Sequence, residues 1–457
     1  MPAKSATLSR PSGKGTPLYR DFKYTPIAID HGDGVYLVDT EGNSYLDGGA
    51  GAAVCGLGHS HPDVVDAIRK QSERLSYVHL SHFASAPLME LAEALVETAP
   101  ANIERASFVS GGSEANETAI KIAHQYHRAR GQSSKYKVLS RYVSYHGATL
   151  GVLSLSGQVV RRRAFAPLLP DIAQKIAPAY CYRCPFGQTP DACALPCADD
   201  LERVILHEGP ENVSAFIAEP ISGASAPGAH PPDSYWRRIR EICDRYDVLL
   251  IVDEVMSGVG RSGQWWAIQH SGVEPDMITS AKGLGAGYTP IGATLLSGKI
   301  CDALARAERP FVHGFTYGGN PLSCAVAAKV LEVMRRDDLV SHAETKGDRL
   351  LTRLRKALGD HSHVGDVRGR GLLLGVEFVA DSKTGEPFPA EENVRGRLSR
   401  ACLDQGLYLY PGGGSAQGPK GDHVLIAPPL VIDDAQMDEL VEKLTSAVRT
   451  VFDEATP

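Results

Sequence analysis

Two patterns divide the chain. Residues 27–47 hold short runs rich in apolar residues, broken by the turns HGDG and EGN, the pattern of short strands joined by tight turns. From residue 62 a helical period takes over and predicts helices over 62–75, 86–98 and 114–130. Short runs with no charged residue and at most one Ser or Thr then recur at 106–109, 138–140, 215–218, 249–252, 277–279 and 293–296, with amphipathic helices predicted at 199–206 and 234–246. A strand that is apolar throughout has both faces buried. The pattern therefore predicts an α/β fold: a mainly parallel central sheet with helices on both faces. After Asn320 a long helical stretch opens (PLSCAVAAKVLEVMRRDDL), followed by strands at 372–378 and 424–426 and a terminal helix from Asp433. The segment 411–421 (PGGGSAQGPKG) reads as a loop. The expected division is a flexible tail over 1–16, part of a small α+β domain over 17–75, a large domain over 76–320, and the rest of the small domain over 321–457.

Composition narrows the class of function. At about 150 residues per domain, 457 residues make roughly three domains or two large lobes. With 43% hydrophobic and 22% charged residues the chain can build a core of that size. Lys and Arg number 47 against 54 Asp and Glu, for a net charge of −7, and no long basic run occurs. Nucleic acid and membrane surfaces are therefore not expected as partners. Apolar runs such as 248–252 fall far short of the ~20 residues of a membrane span. The first residues (MPAKSATLSRPSGKG) lack the apolar stretch of a secretory signal, so a cytoplasmic location is expected. Nine cysteines, an odd number, argue against a disulfide framework. Four of them cluster, as Cys181 and Cys184, then Cys193 and Cys197. The first pair has zinc-ligand spacing, and four thiolates could close a tetrahedron. The link between the pairs is short for a zinc site, so packed, reduced thiols are the expectation and a metal the weaker alternative.

In open parallel sheets, ligands gather at the carboxyl ends of strands. After 106–109 comes SGGSEANETAIKIA, where Gly111, Gly112 and Ser113 open a helix. Its free N–H groups and dipole suit an anion, although Ser113 could equally be a simple N-cap. After 249–252 come Asp253 and Glu254. An acid at the end of a buried strand needs a positive partner or several donors. After 277–279 comes Lys282 in AKGLGAG, the setting of an amine nucleophile whose pKa burial can lower. The stretch GVGRSG (258–263) matches G-x-G-x-x-G, yet it starts beyond the strand end and runs into GQWWA, so a dinucleotide is not expected. His59, His61 and His146 lack metal-type spacing and read as turn or packing residues. An anion cradle, an acid and a lysine, with the aromatic Tyr145 in YHG for stacking, suggest pyridoxal 5′-phosphate.

Taken in order, SGGSEANETAIKIA, YHGATLG, AEPI, LLIVDEVMSGVGRSG, AKGLGAGYTPIGA, HGFTYGGNPLSCAVA, RGRGLLLGVE and GDHVLIAPPL resemble the class III aminotransferases. This is the ω-transaminase and acetylornithine/GABA aminotransferase group of fold type I enzymes. The resemblance implies that Lys282 is the Schiff-base lysine and moves the proton, and that Asp253 pairs with the pyridine nitrogen. It implies that Gly112 and Ser113 bind the phosphate, that Tyr145 and Val255 cover the two ring faces, and that His146 belongs to the cofactor-binding set. Glu219 then supports Asp253 and the ring's polar edge. Thr316 would reach the phosphate in the neighbouring subunit, which implies a homodimer with shared sites and allows a tetramer. The implied reaction is ping-pong transfer of an amino group from a primary amine or ω-amino acid to a keto acid, with pyruvate expected. The alternatives are an aminomutase or decarboxylating transaminase on the same fold, or a catalytically silent metal- or thiol-binding homologue.

Two departures from the family bear on substrate. Many members place an arginine for the substrate carboxylate shortly before the GDH segment, where this chain has LYPGGG with only Lys420 basic between Tyr410 and His423. Recognition must then come from Lys420, an arginine elsewhere, or backbone donors. In DGGAGAAVCGLG the position that is aromatic in many ω-transaminases is Ala53, which implies a roomier pocket. Tyr77, Val78, His79, Ala224 and Trp266 are the other expected wall residues.

Overall fold

Alternate residues of the central strands face two different helix layers, which is why those strands are mostly apolar on both faces. The computed structural model describes residue 18 and residues 26–453 apart from 309 and 417, so the expected tail over 1–16 lies outside it. Its seven-stranded sheet runs Ile103–Val109, Gly292–Ser297, Met277–Ser280, Leu249–Asp253, Val213–Ala218, Lys137–Arg141, Ala173–Ile176. Ala215, Ile217, Leu249 and Ile251 pack with Ala119, Ile122 and Tyr126 of helix Gly112–Ala129. Phe216, Ala218, Leu250 and Val252 pack with Leu201 and Ile205 of helix Pro196–Glu208 and with Tyr235 and Ile239 of helix Asp233–Arg245. Helices thus cover both faces, as the apolar runs predict.

The five strands from Met277–Ser280 to Ala173–Ile176 are parallel. Gly292–Ser297 departs from them and runs antiparallel to both of its neighbours. The link over 281–291 is too short for the crossover that a parallel partner requires.

Both ends of the chain enter a second sheet, where Ser44–Asp47 pairs in parallel with Leu407–Tyr408. A third sheet, ordered Val364–Arg370, Leu373–Phe378, Asp422–Ile426, Tyr410–Gly412, is antiparallel. The expected loop over 411–421 is therefore shorter: Tyr410–Gly412 is an edge strand and the loop begins at Gly413. Pro411 is tolerated there because an edge strand need not donate on its open side. Two other edge strands, Ala173–Ile176 and Val364–Arg370, carry no continuous apolar run that would announce them. The terminal helix Asp434–Phe452 starts where its capping box places it. Asp433 accepts from the Gln436 backbone N–H at 2.8 Å, and the Gln436 side chain accepts from Asp433 N–H at 2.9 Å.

The cysteine-rich segment bridges the large sheet to the third one. It leaves the end of strand Ala173–Ile176, and Arg183 Nε donates to Glu377 Oε1 at 2.5 Å. The Tyr180 hydroxyl donates to the same carboxylate, as does Arg368 at 3.1 Å. Glu377 is fully buried, and the two guanidinium groups hold its carboxyl below the usual range against the opposing effect of burial.

Candidate active site

The strand ends at Asp253 and Ser280 and the start of helix Gly112–Ala129 surround a cavity of about 440 Å³. Gly112, Ser113, Tyr145, His146, Glu219, Ala224, Asp253, Val255 and Lys282, all singled out from the sequence, line it together.

Asp253 is buried at the end of its strand and held by three donors. Asn116 Nδ2 and His146 Nδ1 each reach Oδ2 at 2.8 Å, and the Val255 backbone N–H reaches Oδ1 at 3.1 Å. The proton on His146 Nδ1 is assigned from its partner, a carboxylate being an acceptor only. Asn116 is itself fixed, accepting from Thr279 Oγ1 at 2.7 Å and donating to the His146 carbonyl at 2.7 Å. Glu219 accepts from the backbone N–H of Tyr145 at 3.2 Å and of Gly223 at 3.0 Å. Burial pushes its carboxyl pKa up.

Lys282 follows strand Met277–Ser280 in a left-handed conformation, with φ 43°. That geometry costs a non-glycine residue of order 1 kcal/mol, strain of the kind that gathers at functional sites. Burial pushes its amine down to about 8. The negative charges of Asp253 and Glu219 oppose that shift, while Arg161 and Arg261 add to it. An amine so placed is a nucleophile near neutral pH.

Opposite the lysine lies the helix start. Its N-cap is Gly111 and no side chain caps it, so the first-turn N–H groups are open to the cavity. Ser113 is not the cap: its hydroxyl instead accepts from Ala148 N–H at 3.0 Å. A Cβ on Gly112 would stand 2.7 Å from Val255 Cγ1, so only glycine lets Val255 pack across this end. Gly147 has φ 138°, and a Cβ there would stand 2.6 Å from Ser113 Oγ. These residues fit pyridoxal phosphate. The helix start suits its phosphate, the carboxylate its ring nitrogen, and the amine its aldehyde. Tyr145 and Val255 offer apolar surface for the ring.

Other expected residues lie elsewhere. Thr316, Tyr77 and His79 line a second hollow of about 1510 Å³ together with Phe108, Phe311 and Phe315. Trp266 is buried in the core, its indole N–H donating to Thr98 Oγ1 at 3.2 Å, because the chain turns inward after the GVGRSG stretch. Ala53 is also buried, packed with Ile221, Leu373 and Leu425, and its neighbour Val54 takes the place at the cavity wall. No helix opens at GVGRSG, which forms turns.

The four clustered cysteines are free and do not assemble into a group of metal-ligand geometry. Such a group does form, among the described residues, from Asp47, Cys55 and His59, whose ligand atoms lie within 4.8 Å of one another. Burial pushes the Cys55 thiol up to about 11, however, which keeps it protonated, and Gly51 N–H already bonds the Asp47 carboxylate. Asn116, Met256, Thr289 and Ile291 also line the cavity without having been singled out. Asn116 lies one helical turn after Gly112, a spacing that puts both on the inward face.

The family described as aminotransferase class-III matches residues 19–448. A putrescine–pyruvate aminotransferase of Pseudomonas aeruginosa is 36% identical over 414 residues, covering 90% of this chain and 88% of the relative. An (S)-enantioselective ω-transaminase from Thermomicrobium roseum superposes with TM-score 0.88 at 38% identity, covering 94% of each chain. The ω-transaminase of Pseudomonas jessenii, solved in complex with PMP, superposes with TM-score 0.87 at 33% identity, covering 94% of this chain and 93% of that one.

Proposed function

This chain belongs to the class III aminotransferases, pyridoxal-phosphate enzymes of fold type I, and from that premise we propose that it moves an amino group from a primary amine or ω-amino acid to pyruvate by a ping-pong route through Lys282. When bound, the cofactor supplies an electron sink for the bonds at the substrate's amine-bearing carbon. The observation that carries the reading is the meeting of Lys282, Asp253 and the Gly112–Ser113 helix start in one cavity. The Lys282 amine, held down to about 8, can give and take the substrate Cα proton near neutral pH. Asp253, fixed by Asn116 and His146, presents a negative charge to a protonated ring nitrogen. Ser113 and the helix start hold the phosphate, Tyr145 and Val255 confine the ring, and Glu219 fixes the Tyr145 backbone.

We further propose a homodimer with shared sites. Thr316 lies outside its own chain's cavity, in a hollow rimmed by exposed apolar groups, Val312 among them at 88% exposure. A second copy placing its cavity there would cover that surface. Nine free cysteines support a reducing, cytoplasmic setting. The test is a half-reaction. Amine alone should release its carbonyl product without CO₂ and change the visible absorbance, and pyruvate added afterwards should restore it. Release of CO₂ would point to the decarboxylating chemistry instead, and an isomerised amine with no carbonyl product to the mutase chemistry.

A further inference from the structure

The segment of this chain that lacks an arginine supplies the hydroxyl that holds one. Arg161 NH2 donates to Tyr410 Oη at 2.8 Å, and Tyr410 begins the LYPGGG edge strand. The face of the same guanidinium lies over the Tyr145 ring, 4.7 Å from its centre. Tyr145 is a cavity wall, so these two contacts fix the guanidinium plane against that wall, although Arg161 does not itself line the cavity. Its positive charge also reaches Lys282, where it disfavours the ammonium form. Among the described residues no carboxylate pairs with Arg161, and its remaining N–H donors have no partner. Half-buried, oriented and unpaired by any carboxylate, a planar fork of donors is complementary to one. Neither Lys420 nor Arg161 itself lines the cavity, but Arg161 stacks on Tyr145, which does.

We propose that Arg161 receives the carboxylate of the keto-acid acceptor, and of amino-acid donors, with Tyr410 and Tyr145 as its positioning residues. The proposal rests on the transaminase reading above. The holoenzyme, with one amine donor, is assayed with pyruvate and with the uncharged acceptor propanal, and propionate is titrated as a competitive inhibitor. Arg161→Gln should lower the ratio of kcat/KM for pyruvate to that for propanal by about 10- to 100-fold, mostly through KM, and weaken propionate inhibition to match. Arg161→Lys should recover part of the ratio, because it keeps the charge and loses the fork. Should Arg161→Gln fail to fold, Tyr410→Phe carries the test, with a smaller fall of about threefold, since only the anchor of the fork is lost. An unchanged ratio, or equal losses on both acceptors without recovery in the lysine variant, would overturn the role of Arg161. Wild-type protein that transfers no amino group to pyruvate at all would instead overturn the functional reading.

Discussion

Lys282 pairs a strained backbone with an amine that burial holds near 8, and both features set what single changes should do. Lys282→Ala should lower turnover at least about a thousandfold, the scale of losing a covalent catalyst, as measured by steady-state rates at saturating amine. In cofactor-free protein the neutral amine fraction falls about tenfold per pH unit below its pKa. Cofactor uptake should therefore speed up as pH rises through about 8 and level off above it. A rate still climbing near pH 10 would mean that burial does not act on Lys282. Asp253→Asn should retain cofactor and lose most activity, because an amide cannot counter a positive ring nitrogen. Ala53 reverses its expected part. With Leu373 and Leu425 against it, Ala53→Trp should overpack the core, costing about 1–3 kcal/mol in denaturant unfolding and slowing small and bulky amines alike. Selective loss on bulky amines would restore Ala53 to the pocket. Lys282, Asp253 and Ser113 are legible in the sequence because each lies at or just beyond the end of a buried strand. Asn116 is not, because its importance comes from side chains that meet only in the fold: Thr279, His146 and Asp253.

Among the elements, those with two buried faces announce themselves, and the edges do not. Strands Val213–Ala218 and Leu249–Asp253 are apolar at nearly every position because helices press on both sides. Tyr410–Gly412 looks like loop because an edge strand needs only backbone pairing along one side. The cysteine-rich segment is the other surprise. Its anchor is not the thiols but Tyr180 and Arg183 on Glu377, pairings across 197 and 194 residues of sequence that no local pattern reveals. Glu377→Ala would leave Arg183 without a carboxylate and the buried Arg368 with Asp366 alone, and should cost about 3–5 kcal/mol, read from urea unfolding. A loss below about 1 kcal/mol would show that packing alone holds the segment.

At the scale of the whole molecule, one chain carries a complete cradle for the ring and leaves Thr316 facing outward. If Thr316 completes the phosphate site of a partner, cofactor and dimer are linked by mass action, and stripping the cofactor should weaken association and lower Tm together. Sedimentation at falling concentration checks this, and a fully active monomer would contradict it. The measurement that bears most directly on the whole account is borohydride reduction of the purified holoenzyme followed by peptide mapping. The account predicts one cofactor fixed per chain, on the peptide that carries Lys282. Cofactor fixed to any other lysine, or none fixed at all, would contradict it.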